Sequence, residues 1–412
     1  MINRILKAIG SEFRFVKKPN PRELREILGE NNLKVTKQVL QNGDHPTFFG
    51  YHDKTPFSLD NKKVLANSVA VDDKKLKNEG SLMELGYFEK GSDGKFSTNF
   101  VKFSETTAWS WQQGCMLQWN PKNPNQEVVF NRVVGDSYGA VIFDIESGKI
   151  VREFSFPIYS VAPNGKYASS LNFSRLSRIR NGYGYRNLPD STKGQVAPEN
   201  DGVIIYDFTT GDQVAMIALS DLAENTLKVK DHYINHITFS PDGKNVGFFH
   251  FYSDKYSKRI IRFYIYNIET EELKLLEAFR TTSHYCWRNN HQIITTEHGP
   301  GGCLYYLYDI QTKTKTVIDI PKIGDLHPMT HPADENKIVA DSKPDRWGNQ
   351  QLFIFDIETG QHFHVGSFKN PKEYHGSVRC DLHPRWDREG EYIAVDSTER
   401  GKRSLILTRI SK

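Results

Sequence analysis

From residue 34 onward the chain alternates short apolar runs with polar turns, and one unit of this pattern recurs. The unit starts with a turn rich in Pro, Asp, Asn and Gly, followed by a β-type run rich in Val, Ile, Tyr and Phe. A second turn then separates two further runs. Ser240-Pro-Asp-Gly-Lys244 is an example of the first turn, and Phe355-Asp-Ile-Glu-Thr-Gly360 is an example of the second. Turns of these types between apolar runs indicate β-hairpins.

The first turn occurs at residues 58–63, 120–125, 162–166, 240–244, 287–290, 331–336 and 386–390. The second occurs at residues 143–148, 206–211, 266–270, 308–312 and 355–360. Recurrence at roughly 45 to 80 residues is typical of a propeller whose blades are four-stranded sheets. We therefore predict an all-β, seven-bladed β-propeller over residues 34–412. A strand near 34–40 is expected to close the ring by pairing with the last run, 404–410.

Two segments depart from the repeat. Residues 1–33 are predicted to be helical, with Pro21 near the start of a helical pattern and Gly29 near its end. The third repeat carries a long insertion at about 171–201, which contains four Arg and two Tyr within residues 175–186. Long loops on a compact scaffold are often functional, and Arg pairs well with carboxylates, so we expect a loop that binds an anionic ligand. The alternative is an ordinary solvated insertion.

Composition narrows the class of protein. The 412 residues are 38% hydrophobic and 12% aromatic, enough for a packed core, and the net charge of +4 is too small to predict nucleic-acid binding. Four widely spaced Cys without a CxxC pair do not predict a disulfide framework. We see no signal peptide and no apolar stretch that could span a membrane, so a cytoplasmic location is expected, with a peripheral membrane contact through the N-terminus left open. No nucleotide-binding motif or Ser nucleophile elbow occurs, so no nucleotide cofactor is expected.

Polar side chains recur just before or beside the first turn of each blade, where propeller loops converge over the central channel. These residues are His52 and Lys54 in blade one, Gln113 in blade two, Asn172 with the Arg/Tyr loop in blade three, His236 in blade four, His284 in blade five, His327 in blade six, and Arg379 to His383 in blade seven. A propeller that served only as a scaffold would have little reason to repeat His and amide side chains at one position. The channel mouth is therefore the predicted site.

Three successive blades also bring potential metal ligands together. They are His284, His327, Cys380, Asp381 and His383. Two His with Cys or Asp suit Zn²⁺, whereas His with carboxylate and water suits Mn²⁺ or Fe²⁺. We predict one divalent metal, Zn or Mn, held by His284, His327, Cys380 and His383. The alternative is that these His side chains hydrogen-bond between neighbouring blades and have a structural role only.

Several blade entries resemble those of seven-bladed propeller polysaccharide lyases, the oligogalacturonate and ulvan lyases. The similar stretches are Gln112–Trp119, Ile234–Gly243, Ser283–Trp287 and Arg379–Trp386. The surrounding Ser-Pro-Asp-Gly pattern is also similar to that of TolB-like propellers. In the last blade, the Gln-x-x-His-x-His run of oligogalacturonate lyases corresponds to residues 378–383 here, of which only the final His is kept.

The resemblance implies β-elimination at a uronic acid, which needs a cation for the carboxylate, a base for the C5 proton and an acid for the leaving oxygen. It implies Arg175 or Arg178 with Gln113 at the carboxylate. It also implies His52 or His236 as the base, and Tyr183 or Tyr185 as the acid. Lys54, Asn172 and Arg379 are further candidates for substrate binding. The expected partner is an acidic oligosaccharide or polysaccharide.

Two other functions remain open from the sequence. One is a transferase or hydrolase of surface-polysaccharide biosynthesis, which would handle a glycan without forming an unsaturated product. The other is a TolB-like propeller that binds partners and catalyses nothing. The sequence does not distinguish among the three.

Overall fold

The structure is a computed structural model that describes residues 34–411, apart from 77–79, 225, 227–229, 254–258, 278–281 and 300–301. The helix predicted at 1–33 lies outside the described residues. The described strands form seven antiparallel sheets of four strands each. This confirms the predicted all-β, seven-bladed propeller.

In chain order, the strands of the first half are β1 (Lys34–Leu40), β2 (Thr47–Phe48), β3 (Lys63–Val69), β4 (Met83–Glu89), β5 (Val101–Thr106), β6 (Gln118–Trp119), β7 (Glu127–Val134), β8 (Ser137–Asp144), β9 (Lys149–Phe154), β10 (Ser160–Val161), β11 (Tyr167–Ser170), β12 (Gly202–Asp207) and β13 (Gln213–Ala218). Those of the second half are β14 (Tyr233–Phe239), β15 (Asn245–Ser253), β16 (Arg259–Asn267), β17 (Leu273–Glu277), β18 (Thr282–Trp287), β19 (Gln292–Gly299), β20 (Gly302–Asp309), β21 (Thr314–Val317), β22 (Met329–His331), β23 (Asp334–Asp341), β24 (Asn349–Asp356), β25 (His362–Lys369), β26 (Arg385–Trp386), β27 (Tyr392–Ser397) and β28 (Ser404–Ser411).

Blades one to six each use four consecutive strands, from β2–β5 to β22–β25. Strands two and three of a blade are largely buried, whereas fourth strands such as β9 and β21 are mostly exposed and form the rim. Apolar side chains of neighbouring blades pack face to face into continuous clusters. The ring is therefore held together by burial between sheets.

Blade seven is completed by the start of the chain. β1 pairs antiparallel with β28, with Lys34 opposite Ser411 and Leu40 opposite Leu405, and β27 and β26 follow inward. This pairing confirms the predicted ring closure. It joins the two ends of the propeller through backbone hydrogen bonds, and β1 supplies the outer, fourth strand of blade seven.

The second turns form because an Asp or Asn at the end of the third strand caps its own turn. The Asp144 Oδ1 accepts from the N–H groups of Glu146 and Ser147, both at 2.9 Å, and Gly148 takes a left-handed conformation with φ +68°. The equivalent residues Asp207, Asn267, Asp309 and Asp356 bond in the same way. A short polar side chain that satisfies nearby backbone donors is what makes these turns recognisable in sequence.

The insertion of blade three runs between β11 and β12 and contains helix α1 (Phe173–Ile179). Asn172 caps it, because its side-chain oxygen accepts from the Arg175 N–H at 2.9 Å. A second short helix, α2 (Leu219–Leu222), follows β13. None of the helices in the described part of the chain is long and apolar enough to cross a membrane.

Candidate functional site

Histidines from five blades meet at the centre of the ring, and all of them except the half-buried His284 are buried. The rings of His284 and His327 lie 4.1 Å apart between centroids, and those of His327 and His383 lie 4.5 Å apart. The ring centroids of His52 and His327 lie 5.3 Å apart, and those of His236 and His284 lie 6.2 Å apart. The blade-entry positions identified in the sequence therefore converge in space.

Irregular backbone directs two of these side chains. His236 interrupts the register of β14 and has φ +57°, and His383, just before β26, has φ +46°. Positive φ is uncommon for a non-glycine residue and concentrates at functional sites, where the surrounding structure must hold it. Around His236 two tyrosines do this: its N–H donates to the Tyr159 hydroxyl at 3.1 Å, and its C=O accepts from the Tyr285 hydroxyl at 2.8 Å.

Four histidines share one hydrogen-bonding arrangement: each Nδ1 lies within 3.1 Å of an oxygen acceptor. The pairs are His52 with the Pro328 carbonyl, His284 with Asp325, His327 with Asp341, and His383 with the Gly50 carbonyl. A carbonyl oxygen has no proton to donate, so in His52 and His383 the Nδ1 holds the hydrogen and the lone pair lies on Nε2. Metal-binding histidines in proteins are commonly oriented in this way, by a hydrogen bond from the ring nitrogen that does not bind the metal.

His327, Asp381 and His383 place their ligand atoms within 4.8 Å of one another, and all three are buried. The His383 Nε2 is buried and has no hydrogen-bond partner among the described residues. Imidazole and carboxylate together suit Zn²⁺, Mn²⁺ or Fe²⁺. The donor set and the unpartnered nitrogen therefore fit a divalent metal.

Three of these histidines, His52, His327 and His383, are electrically neutral in this environment. Burial lowers the pKa of His52, His327 and His383 well below the ordinary 6.5, and the neighbouring histidines lower it further. Burial opposes the charge on Asp381, but Lys343 and Arg379 outweigh it and hold its pKa well below 3.8. Neutral imidazoles beside an ionised carboxylate are the protonation states that metal ligands need.

A cleft of about 190 Å³ opens beside the histidines, and cations dominate its lining. Its basic side chains are Arg180, Arg259, Lys343 and Arg379. Asp381 compensates two of them, with Lys343 Nζ at 3.1 Å from Oδ1 and Arg379 Nε at 2.9 Å from Oδ2. Arg180 and Arg259 form no ion pair with any described carboxylate; the Arg180 guanidinium lies over the Tyr183 ring and that of Arg259 over the Phe251 ring. Uncompensated guanidinium groups in a partly enclosed cleft favour an anionic ligand.

Tyr183 joins the cleft to the insertion. Arg379 Nη2 donates to the Tyr183 hydroxyl at 2.6 Å, and the Arg180 guanidinium lies 4.7 Å from the centre of the Tyr183 ring. Burial alone would raise the pKa of Tyr183, but Arg379 and Arg180 outweigh it and hold this pKa below 10.0. The edge of the same ring meets His236, with centroids 6.2 Å apart. A phenol that ionises more easily than usual thus lies against a neutral imidazole.

Other predicted substrate ligands lie in structural networks. Arg175 is 1% exposed and donates to carbonyl oxygens of Thr192, Gln195, Val196 and His232, all within 3.4 Å. Asn172 caps α1 and donates to Asp201. Asn172 thus bonds within the insertion and to the residue before β12, and Arg175 joins the insertion to the residue before β14 of blade four. Arg178 pairs with Asp190 at 2.7 Å and with Asp231. None of the three lines the cationic cleft.

Tyr185, Gln113, Lys54 and Cys380 also have partners away from that cleft. The Tyr185 ring stacks on Phe173 at 4.3 Å, and its hydroxyl accepts from Asn131 at 2.8 Å. Gln113 donates to Tyr159 at 2.8 Å and to Asn235 at 3.0 Å, and Lys54 pairs with Asp53 at 2.8 Å.

Within the described residues, the group that could hold a metal consists of His327, Asp381 and His383, and we call it the metal-type group. It contains neither Cys380 nor His284, which we had predicted as ligands, and it contains Asp381. The Cys380 thiol is 3.9 Å from the Asp381 carbonyl, and burial raises its pKa to about 12, so it stays protonated. A thiol must lose its proton to bind a metal well, and this environment opposes that. Asp381 stands at the position of the first His in the Gln-x-x-His-x-His run of oligogalacturonate lyases.

Sequence reasoning did not select Arg180, Arg259, Lys343 and Asp341 as site residues. Arg180 belongs to the Arg/Tyr loop, and Lys343 and Asp341 lie at the end of β23, so position alone gave a weak indication. Arg259 begins β16, a third strand, and no turn motif marks it. It reaches the cleft only because β16 pairs with β15 of the same blade.

The protein is thus a propeller with a metal-type group beside a cationic cleft at the centre of its ring. Known proteins of similar structure share this fold. No protein-family model and no curated protein matches the chain. An oligogalacturonate lyase from Vibrio parahaemolyticus is similar in structure, with a TM-score of 0.62 and 12% identity, over 92% of this chain and 97% of that one.

An oligogalacturonate lyase in complex with manganese gives a TM-score of 0.63 and 13% identity, over 93% of this chain and 99% of that one. TolB from Acinetobacter baumannii is more distant, with a TM-score of 0.41 and 15% identity, over 85% of this chain and 81% of that one. The predicted resemblance to propeller lyases is therefore confirmed for the fold. At these identities, activity does not follow from the likeness.

Proposed function

We propose that this protein is a lyase that cleaves uronate-containing glycans by β-elimination. The observation that carries the proposal is the meeting of Tyr183, His236 and a set of cations around one cleft beside a metal-type group. β-Elimination needs a cation, a base and an acid at one sugar ring. The cations and His236 line this cleft, and Tyr183 contacts two of its lining residues, Arg379 and His236. The expected partner is an acidic oligosaccharide.

The cations recognise the uronate carboxylate. Arg180 and Arg259 carry charges that no described carboxylate compensates, and planar guanidinium groups bind carboxylates through paired hydrogen bonds. Withdrawing charge from the carboxylate makes the C5 proton more acidic. His327, Asp381 and His383 would hold a divalent metal, Zn or Mn, and when bound such an ion supplies further positive charge for the same purpose.

His236 is the proposed base. Burial lowers its pKa well below 6.5, so the imidazole is neutral and has a lone pair at neutral pH. Its Nδ1 is buried without a partner among the described residues, and its Nε2 is 3.5 Å from the Asn235 Nδ2. A contact of 3.5 Å is too long to fix the tautomer, so Nδ1 can hold the lone pair that accepts the C5 proton.

Tyr183 is the proposed acid. As the C5–H bond breaks, its electron pair forms the C4–C5 double bond, the C4–O bond breaks, and the leaving oxygen takes the Tyr183 proton. Arg379 donates to the Tyr183 oxygen and so stabilises the phenolate that remains. Transfer of the proton from His236 to Tyr183 through solvent restores the starting state.

The test is to incubate the purified protein with Mn²⁺ or Zn²⁺ and a panel of oligosaccharides containing galacturonate, glucuronate or iduronate. Ultraviolet absorbance from the C4–C5 double bond is expected to rise with time and to stop on adding a chelator. New reducing ends without this absorbance would indicate a hydrolase instead. No new ends on any member of the panel would leave a binding propeller. The cytoplasmic location remains a prediction that fractionation of cells can test.

A further inference from the structure

A second cavity lies on the outer side of the insertion. Its volume is about 440 Å³, more than twice that of the cationic cleft, and falls within the range of small-ligand sites. One wall is the face of α1 and the turn after it that presents Ser174, Ser177, Arg178 and Asn181, and the loop at 185–193 forms the other. We call this cavity the outer cleft.

Helix α1 separates the two cavities. Residues three and four apart share a helix face, so positions 174, 177, 178 and 181 face the outer cleft together. Arg175 is buried beneath the helix, and Arg180 faces the histidines. The outer cleft and the cationic cleft share no lining residue, so ligands in the two would be bound by different side chains.

Two buried polar atoms of the outer cleft have no partner among the described residues. They are the Arg178 Nη2, a donor, and the Asn187 Oδ1, an acceptor. Most buried polar groups in proteins are hydrogen-bonded, and those that are not often mark the place of a bound molecule. A ligand that both accepts and donates would satisfy both atoms.

The charge at the mouth of the outer cleft is positive. Arg178 is already matched by Asp190 and Asp231. Arg186 and Lys193 are exposed, and neither pairs with a carboxylate of the described residues. The buried part of the lining has the hydroxyl groups of Ser174, which donates to the Leu188 carbonyl at 3.0 Å, and Ser177, and the exposed Asn181 adds an amide. Cations at the rim and neutral hydrogen-bonding groups inside suit a sugar that carries a carboxylate.

We propose that the outer cleft is a second binding site, which takes a segment of an acidic oligosaccharide away from the histidines. The choice of an acidic glycan over other anions rests on the proposed function, but binding here does not require that the histidine cleft be catalytic. The site would hold a distant part of a long chain or a separate short one.

The experiment is isothermal titration of the full protein with trigalacturonate, and with maltotriose as the uncharged control. Wild type is expected to bind two equivalents of trigalacturonate and far less maltotriose. The variant Arg186→Ala/Lys193→Ala is expected to lose one equivalent, with its Kd raised at least tenfold. The variant Arg259→Ala, which changes only the cationic cleft, is expected to keep that equivalent.

A matched pair of variants sharpens the test. Asn187→Asp has nearly the same shape but adds a negative charge, and it is expected to weaken the same equivalent at least tenfold. Arg132→Ala/Lys149→Ala removes the same two charge types from blade two and is expected to bind as wild type does. Equal binding by wild type and Arg186→Ala/Lys193→Ala, or equal binding of maltotriose, would overturn the proposal. Absence of an unsaturated product bears only on the lyase function, so the two failures are distinguishable.

Discussion

Two arginine-rich regions lie on either side of α1, and their guanidinium groups differ in what they contact. Under the helix, Arg175 is enclosed by backbone carbonyls and is 1% exposed. In the cationic cleft, Arg180 lies over the Tyr183 ring and Arg259 over the Phe251 ring, and neither has a carboxylate partner among the described residues. The first region has no hydrogen-bonding capacity left for a ligand, whereas the second has. Unsatisfied charge, and not the number of arginines, therefore distinguishes the candidate binding site from the structural region.

We expect the greatest change in activity when the two tyrosines of the insertion, Tyr183 and Tyr185, are compared. Tyr183→Phe removes the proposed acid and should lower the rate of unsaturated-product formation by about 10²- to 10⁴-fold, the usual contribution of acid–base catalysis. Tyr185→Phe is the matched control, because its hydroxyl bonds to Asn131 in the core. Initial rates, with thermal unfolding of both variants, make the measurement. An equal loss in the two variants would contradict the assignment.

The arginine comparison itself predicts opposite effects on stability and binding. Arg175→Ala leaves several buried carbonyls and Asp201 without their cation, so the free energy of unfolding should fall by about 3 kcal/mol. Arg259 is exposed, so Arg259→Ala should change the free energy of unfolding by less than about 0.5 kcal/mol. Its kcat/KM should nevertheless fall, since it faces the substrate carboxylate. Urea unfolding measures the stability of each variant, and steady-state kinetics measures its kcat/KM. A large loss of stability in Arg259→Ala with none in Arg175→Ala would refute the distinction between the two regions.

Cys380 and Asp381 are adjacent in blade seven and both are buried, but only Asp381 belongs to the metal-type group. Asp381→Asn removes a charged ligand and should weaken divalent-metal affinity by at least about tenfold. Cys380→Ala changes a protonated thiol outside the ligand group and should leave the affinity unchanged. Metal titration followed by elemental analysis compares them. Loss of metal in Cys380→Ala but not in Asp381→Asn would restore the ligand set predicted from the sequence.

The smallest effect is a shift of the pH profile. As an acid, Tyr183 must be protonated, so kcat/KM should fall as pH rises through its pKa, which Arg379 and Arg180 hold below 10.0. Arg379→Gln removes a cation that favours the phenolate, so the pKa rises and the alkaline limb should move to higher pH. The position of this limb is measured from kcat/KM values of wild type and variant across the alkaline pH range. A limb that stays in place in this variant would show that another group sets it.

Much of the fold could be predicted because the interactions that form its turns join residues that are close in sequence. Asp144 and its equivalents satisfy the backbone of their own turns, so each turn is complete within six residues of sequence. The pairing of β1 with β28 is distant in sequence, but a ring of blades leaves only one strand for the N-terminal run to join. Both features follow from pattern alone.

The site was predictable only in part. His236, His327 and His383 stand next to recognisable turns, and the sequence selected them. Arg175 and Arg259 show the limit: the first was selected and lies in a structural network, and the second was missed and lines the cleft. Sequence gives the charge of an arginine but not its neighbours, and the neighbours decide whether that charge is available.

The sequence by itself determined the number of blades, their turns, the closing strand and the histidines that reach the channel, because each depends on short-range pattern or on counting repeats. Only the tertiary structure decided that Asp381 joins His327 and His383 while Cys380 does not, and that Tyr183 meets Arg379. Those contacts join residues of different blades. Their geometry depends on how the sheets pack, a property that no local stretch of sequence contains.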